Sequence, residues 1–109
     1  MFRSRKRMNS LRFDEVLRGG NQVHSGNVYF SVLDNDLDHS RFAIVVPKKV
    51  LRKAFDRHKL KRQVNHIMKD IEANLPSKDY IVFVKKGIVD ISPKDIKDEL
   101  TTLSGRIVA

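Results

Sequence analysis

Apolar residues recur along this chain with two different periods, and each period predicts a different kind of element. In "SLRFDEVLRGG", Leu11, Phe13, Val16 and Leu17 share one side of a 3.6-residue repeat. This predicts a short amphipathic helix, capped by Ser10 and stopped at Gly19-Gly20. In "NVYFSVLD" the period drops to two: Val28, Phe30 and Val32 face one way, and Tyr29, Ser31 and Leu33 the other, as in a strand with two usable faces. A polar turn, "DNDLDHS", leads to a second apolar run, "RFAIVVP", ended by Pro47. The short connection makes an antiparallel hairpin of these two strands the simplest pairing. From about Asp56 the helical period returns. Leu60, Val64, Ile67, Met68, Ile71 and Leu75 form the longest apolar stripe, with Asn74 and Pro76 ending the helix. "DYIVFV" is nearly all apolar, as expected of a strand covered on both faces. The last helix, "SPKDIKDELTTLSGRI", starts with Ser92 as N-cap, Pro93 in its first turn and Asp95 two residues later. It buries Ile96, Leu100 and Leu103 and is expected to end at Gly105.

This order predicts a single α+β domain over residues 1–109, α-β-β-α-β-α, with helices packed on a small mixed sheet. No internal repeat, linker or low-complexity tract divides it.

Charge sharpens the picture. Lys and Arg total 22 against 13 Asp and Glu, a net charge of +9 on 109 residues. So basic a small domain points to a polyanionic partner, nucleic acid or an acidic membrane surface. No apolar run approaches the ~20 residues that span a bilayer. The basic start, "MFRSRKRMNS", is followed by no apolar segment and does not read as a secretory signal. The expected setting is cytoplasmic, in a bacterial or organellar interior.

Self-contained catalysis finds little support. With no cysteine, disulfides, thiolate metal sites and cysteine nucleophiles are excluded. His24, His39, His58 and His66 lack the HxxxH or HExxH spacing that puts two imidazoles on one helix face. Asp34, Asp36 and Asp38 alternate like the start of a calcium loop. That loop needs glycine at its sixth position and glutamate at its twelfth, where this chain has His39 and Val45. Gly19-Gly20 lacks the following Lys-Ser/Thr of a phosphate-cradling loop.

The segment "PKKVLRKAFDRHKLKR" concentrates the charge. At ~100° per residue, His58, Arg62, Asn65 and Lys69 lie opposite the Leu60–Ile71 stripe, flanked by Lys59 and Lys61. No acid falls between Arg57 and Lys69. A merely solvated face normally mixes both signs. This one reads as a polyanion-binding surface, with free backbone N–H groups at the helix start also suited to a phosphate.

"FDEVLRGG", "RFAIVVPKKV", "DRHKLKR" and "DYIVFVKKG", in that order, resemble the protein component of bacterial ribonuclease P over essentially the whole chain. That family carries a segment of the type S-K-K-(V/I)-G-x-A-V-x-R-N-R-I-K-R. Lys48, Lys49, Arg57, Leu60, Lys61 and Arg62 match it. Pro47 stands for its usual serine, Leu51 for a glycine, His58 for asparagine and Lys59 for an arginine, and the stretch before Arg57 is one residue longer.

The resemblance implies a left-handed βαβ crossover, as in the second domain of a small-subunit ribosomal protein, against the ~98% right-handed rule. It also implies that the chain does not cut RNA itself. A catalytic RNA carrying magnesium ions removes the 5′ leader of precursor tRNA. The protein needs no cofactor of its own, and neither DNA nor membrane is an expected partner. The RNA-binding residues it implies are Arg57, His58, Lys59, Lys61, Arg62, Asn65 and Lys69 on the helix. Lys48, Lys49, Arg52 and Lys53 precede them. Phe13, Leu17, Tyr29, Ser31, Lys85 and Lys86 form the implied leader cleft, with a base stacking on Tyr29 and Lys48 joining the two other lysines at phosphates. A general RNA-binding module of ribosomal or RNA-chaperone type is the alternative. A self-sufficient nuclease is the third reading.

Overall fold

Four segments, three of them rich in β-branched and aromatic residues, pair into one sheet in this computed structural model, which describes residues 8–108. The elements are α1 (Ser10–Gly19), β1 (Asn21–Ser25), β2 (Val28–Asp34), β3 (Arg41–Val45), α2 (Ala54–Ile71), β4 (Lys78–Val84) and α3 (Pro93–Val108). Short 3₁₀ turns, Glu72–Asn74 and Lys86–Asp90, flank β4. The basic segment 1–7 lies outside the described residues.

Strand order is β1-β2-β4-β3. β2 runs antiparallel to β1 and β4, whereas β3 runs parallel to β4. The expected hairpin between β2 and β3 is therefore not formed. β4 lies between them, because the most continuously apolar strand takes the place with cover on both faces: Tyr80, Ile81 and Val82 are wholly buried. The sequence reading also missed β1, so the true order is α-β-β-β-α-β-α. β1 makes its hairpin with β2 through Gly26-Asn27, and Gly26 adopts φ +37°. Glu99 of α3 fixes that turn, accepting from the backbone N of Asn27 at 2.7 Å and from its Nδ2 at 2.9 Å.

Val28, Phe30, Val32, Tyr80 and Val82 point to the inner face and pack with Phe42, with Val64 and Met68 of α2, and with Leu100 and Leu103 of α3. Burial pushes the Tyr80 hydroxyl above its usual pKa. It donates to the Pro76 carbonyl at 2.5 Å.

Helix boundaries depart from expectation in small ways with clear causes. Asn9, not Ser10, caps α1: its Oδ1 accepts from the Arg12 backbone N at 2.8 Å. α2 starts at Ala54 and gives way to 3₁₀ geometry at Glu72, ahead of Asn74 and Pro76. α3 starts as expected, Ser92 Oγ accepting from the Asp95 N at 3.2 Å. It continues through Gly105, whose position a neighbouring chain segment does not crowd.

At the acidic β2–β3 loop, Asp34 pairs with Lys78 Nζ at 2.7 Å, and Asp36 sits at φ +55°. Among the described residues no three His, Asp or Glu side chains converge as a metal site requires.

Candidate nucleic-acid interface

α2 separates its residues by face. Leu60, Val64, Ile67, Met68 and Ile71 are buried, while Phe55, His58, Lys59, Arg62 and Lys69 are exposed on the far side. Among the described residues, no acid pairs with Lys59, Lys61, Arg62 or Lys69. The helix's two carboxylates sit near its ends, Asp56 in the first turn and Asp70 at 4.0 Å from His66 Nε2. His58, Lys61, Arg62, Asn65 and Lys69 line a groove of about 620 Å³. Its other wall is Phe42, Ala43 and Ile44 of β3, the sheet's edge strand.

Arg57 has a different position from its neighbours. It is half-buried, and its Nη1 donates to the carbonyls of Leu51 at 2.9 Å and Arg52 at 2.6 Å. These bonds hold the loop before α2 against the helix start, where Lys53 supplies no side-chain cap. The loop turns at Pro47, whose carbonyl accepts from the Val50 N at 3.0 Å. Lys48, Lys49, Arg52 and Lys53 are left exposed around it. Arg57 thus works first as a brace for four other cations.

The outer face of the sheet carries the second site. Register places His24, Tyr29, Phe83 and Val45 in one row across β1, β2, β4 and β3. The Tyr29 ring is stacked on His24 (centroids 4.6 Å, planes 14° apart) and on Phe83 (4.6 Å, 8°). Neighbouring rings therefore cover both faces of Tyr29, so it does not offer the open face the sequence suggested. The ladder's inner end is Phe83, next to Val45. Beside it lies a cleft of about 540 Å³ walled by Tyr29, Phe83, Val45, Pro47 and Val50, to which Lys49, Lys85 and Lys86 bring charge. Lys85 Nζ is 5.6 Å from the Tyr29 ring centroid.

Of the residues expected in this cleft, Tyr29, Lys85 and Lys86 are brought together. Lys48 does not line it; its neighbour Lys49 does. Ser31 is wholly buried beneath α1, donating to the Val16 carbonyl at 2.8 Å, and presents no surface to a ligand. It fits there because α1 ends at a close approach: a Cβ on Gly20 would strike the Val16 carbonyl and Ser31 Oγ. Phe13 is half-buried on α1 and Leu17, one turn on, is 41% exposed; neither borders the Tyr29 cleft. Phe13 is not part of the buried core either. Sequence reasoning missed Phe83, Val45 and Pro47. The alternation Asp79, Ile81, Phe83 marks one face of β4, but only strand order puts that face beside Tyr29.

α1 is pinned over this face by Asp79, a wholly buried carboxylate. Arg41 grips it with Nε at 2.7 Å and Nη2 at 2.6 Å, Arg12 of α1 adds Nε at 2.6 Å, and Asn35 donates at 2.9 Å. Burial alone would raise the carboxyl's pKa. The hydrogen bonds from Arg41, Arg12 and Asn35 prevail and hold it below the usual carboxylate range. The same bond raises the Arg12 guanidinium.

Comparison with known proteins shows the family and the fold. The family profile described as Ribonuclease P matches residues 2–108. The ribonuclease P protein component of Aliivibrio fischeri is 35% identical over 89 residues, covering 79% of this chain and 76% of the relative. That of Streptococcus thermophilus is 31% identical over 88 residues, covering 81% and 78%. The solved ribonuclease P protein of Thermotoga maritima superposes with a TM-score of 0.83 at 27% identity, covering 93% of this chain and 96% of that one. With its α+β fold and its cationic helix, the chain belongs to the ribonuclease P protein family, the protein subunit of a ribonucleoprotein endonuclease that matures tRNA.

Proposed function

We propose that this subunit docks on the catalytic RNA of ribonuclease P through the outward face of α2 and the loop before it. The 5′ leader of precursor tRNA then lies in the cleft on the other side of β3. The observation that carries this reading is the set of Lys and Arg side chains from Lys48 to Lys69, which meet no acid among the described residues, with Lys61, Arg62 and Lys69 in a groove on one side of the edge strand and Lys49 in the cleft on the other.

Its chemistry follows from the groups present. His58, Lys59, Lys61, Arg62 and Lys69 meet phosphates of a folded RNA, reading shape rather than sequence. Asn65 donates from the same groove wall. In the cleft, Lys49, Lys85 and Lys86 hold the leader's backbone while a base stacks against the face of Phe83 toward Val45. Tyr29 acts by backing Phe83 and exposing its ring edge. No side chain here is assigned a role in breaking the phosphodiester bond. Magnesium ions on the RNA supply the activated water and the charge stabilisation for hydrolysis. We place the protein in the cytoplasm, with precursor tRNA. No described helix is long and apolar enough to cross a membrane.

Reconstitution with a bacterial-type ribonuclease P RNA at low magnesium tests the reading. The protein should stimulate 5′ processing of precursor tRNA and be inactive alone. Absence of stimulation, as a general RNA-binding module would show, overturns it, and so does cleavage by the protein alone.

A further inference from the structure

Phe55 is 72% exposed, although phenylalanine normally gains by leaving water. It lies in the first turn of α2, and its direction matters more than its exposure alone. At ~100° per residue Phe55 points almost directly away from Val64, at the centre of the face buried against the sheet. Arg62 follows two turns later on the same line, with His58 and Lys59 on either side, all exposed. Arg52 and Lys53, also exposed, precede it in the loop. A large apolar ring therefore sits in the middle of the cationic stripe.

We propose that Phe55 is a base-stacking contact to the RNA subunit, covered by an unpaired nucleobase whose flanking phosphates are met by the surrounding cations. The inference rests on the reading that α2 docks on that RNA. Charge complementarity selects the occupant. An apolar protein surface laid over Phe55 would also have to bury the neighbouring Arg and Lys groups without partners, at a large desolvation cost. RNA neutralises those groups and offers π-faces at the same time. Bases in loops and bulges splay out and stack on aromatic side chains in this way. The contact would give the helix a preference for an unpaired site that phosphate contacts alone cannot supply.

Equilibrium binding of the full chain to ribonuclease P RNA, at several salt concentrations and with melting temperatures measured in parallel, tests this. Phe55→Ala should weaken binding roughly 5- to 100-fold, the loss expected for one base–aromatic stack. It should leave the slope of log K against log salt unchanged, since no phosphate contact is removed, and should not lower the melting temperature. Phe55→Leu should bind nearly as poorly as the alanine variant, and Phe55→Trp as well as the parent. If Phe55→Leu binds like the parent, simple apolar contact replaces stacking and the proposal fails. If Phe55→Ala is unaffected while Arg62→Ala binds more weakly, Phe55 makes no RNA contact although the helix still docks. If both variants bind like the parent, the docking reading itself fails, and the stacking contact with it.

Discussion

At the scale of single residues, the clearest energetic feature is Asp79, whose carboxylate is wholly buried under two arginines and an asparagine. Removing one partner of such a group leaves buried charge uncompensated, so Asp79→Ala should cost about 3–5 kcal/mol of folding stability. The pH dependence has a definite sign. The folded-state pKa lies below the unfolded value of about 3.9, so the stabilisation is complete above roughly pH 4 and is lost as pH falls through the folded pKa. Denaturant titrations of the parent and Asp79→Asn should therefore show a constant gap from pH 7 to 5 that narrows below pH 4. A gap unchanged down to pH 2 would mean that the charge contributes nothing. In the cleft, the stacked row reorders the expected roles of the aromatics. Phe83→Ala should weaken binding of precursor tRNA relative to mature tRNA by roughly 5- to 100-fold. Tyr29→Ala should have a smaller effect, because both faces of its ring are already covered. Equal discrimination by Phe83→Ala and the parent would remove Phe83 from the leader path.

At the scale of elements, what the sequence disclosed follows from how local each signal is. The α2 stripe is set by residues within five turns of one another, so Leu60 to Ile71 were legible in full and the cationic face with them. The pairing of β3 is not local. The chain enters β3 six residues after leaving β2, yet it crosses to the far side of a strand that begins at Lys78. β1 was overlooked because "NQVHS" holds one apolar residue, as a solvated edge strand can. The two-residue Gly26-Asn27 connection was the signal that could have revealed it. The same limit applies to the site: cations were readable along the helix, whereas the Phe83–Val45 wall needed strand order. Arg57 shows a further gap, between a residue's motif and its bonds. Because its Nη1 joins the Leu51 and Arg52 carbonyls, Arg57→Lys keeps the charge but cannot reproduce the same paired grip. It should loosen the 46–53 loop, seen as faster amide exchange at Val50 and Leu51, and weaken RNA binding with little change in salt slope. Parent-like exchange and affinity in that variant would show the brace to be dispensable.

At the scale of the whole molecule, the net charge of +9 matters less than where it is placed. α3 interleaves Lys94 and Lys97 with Asp95, Asp98 and Glu99, the mixed pattern of a solvated face, whereas α2 and the loop before it carry one sign almost alone. The strand β3 and its following loop separate two cationic surfaces. Lys61, Arg62 and Lys69 line the groove on the α2 side, and Lys49, Lys85 and Lys86 the cleft on the outer face. The two surfaces lie on opposite sides of the β3 strand, so they should act on different RNAs rather than as one diffuse field. This separates position from bulk charge in a direct way. The double variants Lys59→Gln/Lys61→Gln and Lys85→Gln/Lys86→Gln each remove two positive charges. The first should weaken affinity for the catalytic RNA and reduce its salt slope by up to about two units, one for each phosphate that is no longer neutralised. It should leave the preference of the assembled holoenzyme for leader-bearing tRNA intact. The second should bind the catalytic RNA like the parent and lose part of that preference. Parallel losses in both assays from both variants would show that net charge, and not its division across β3, governs RNA binding.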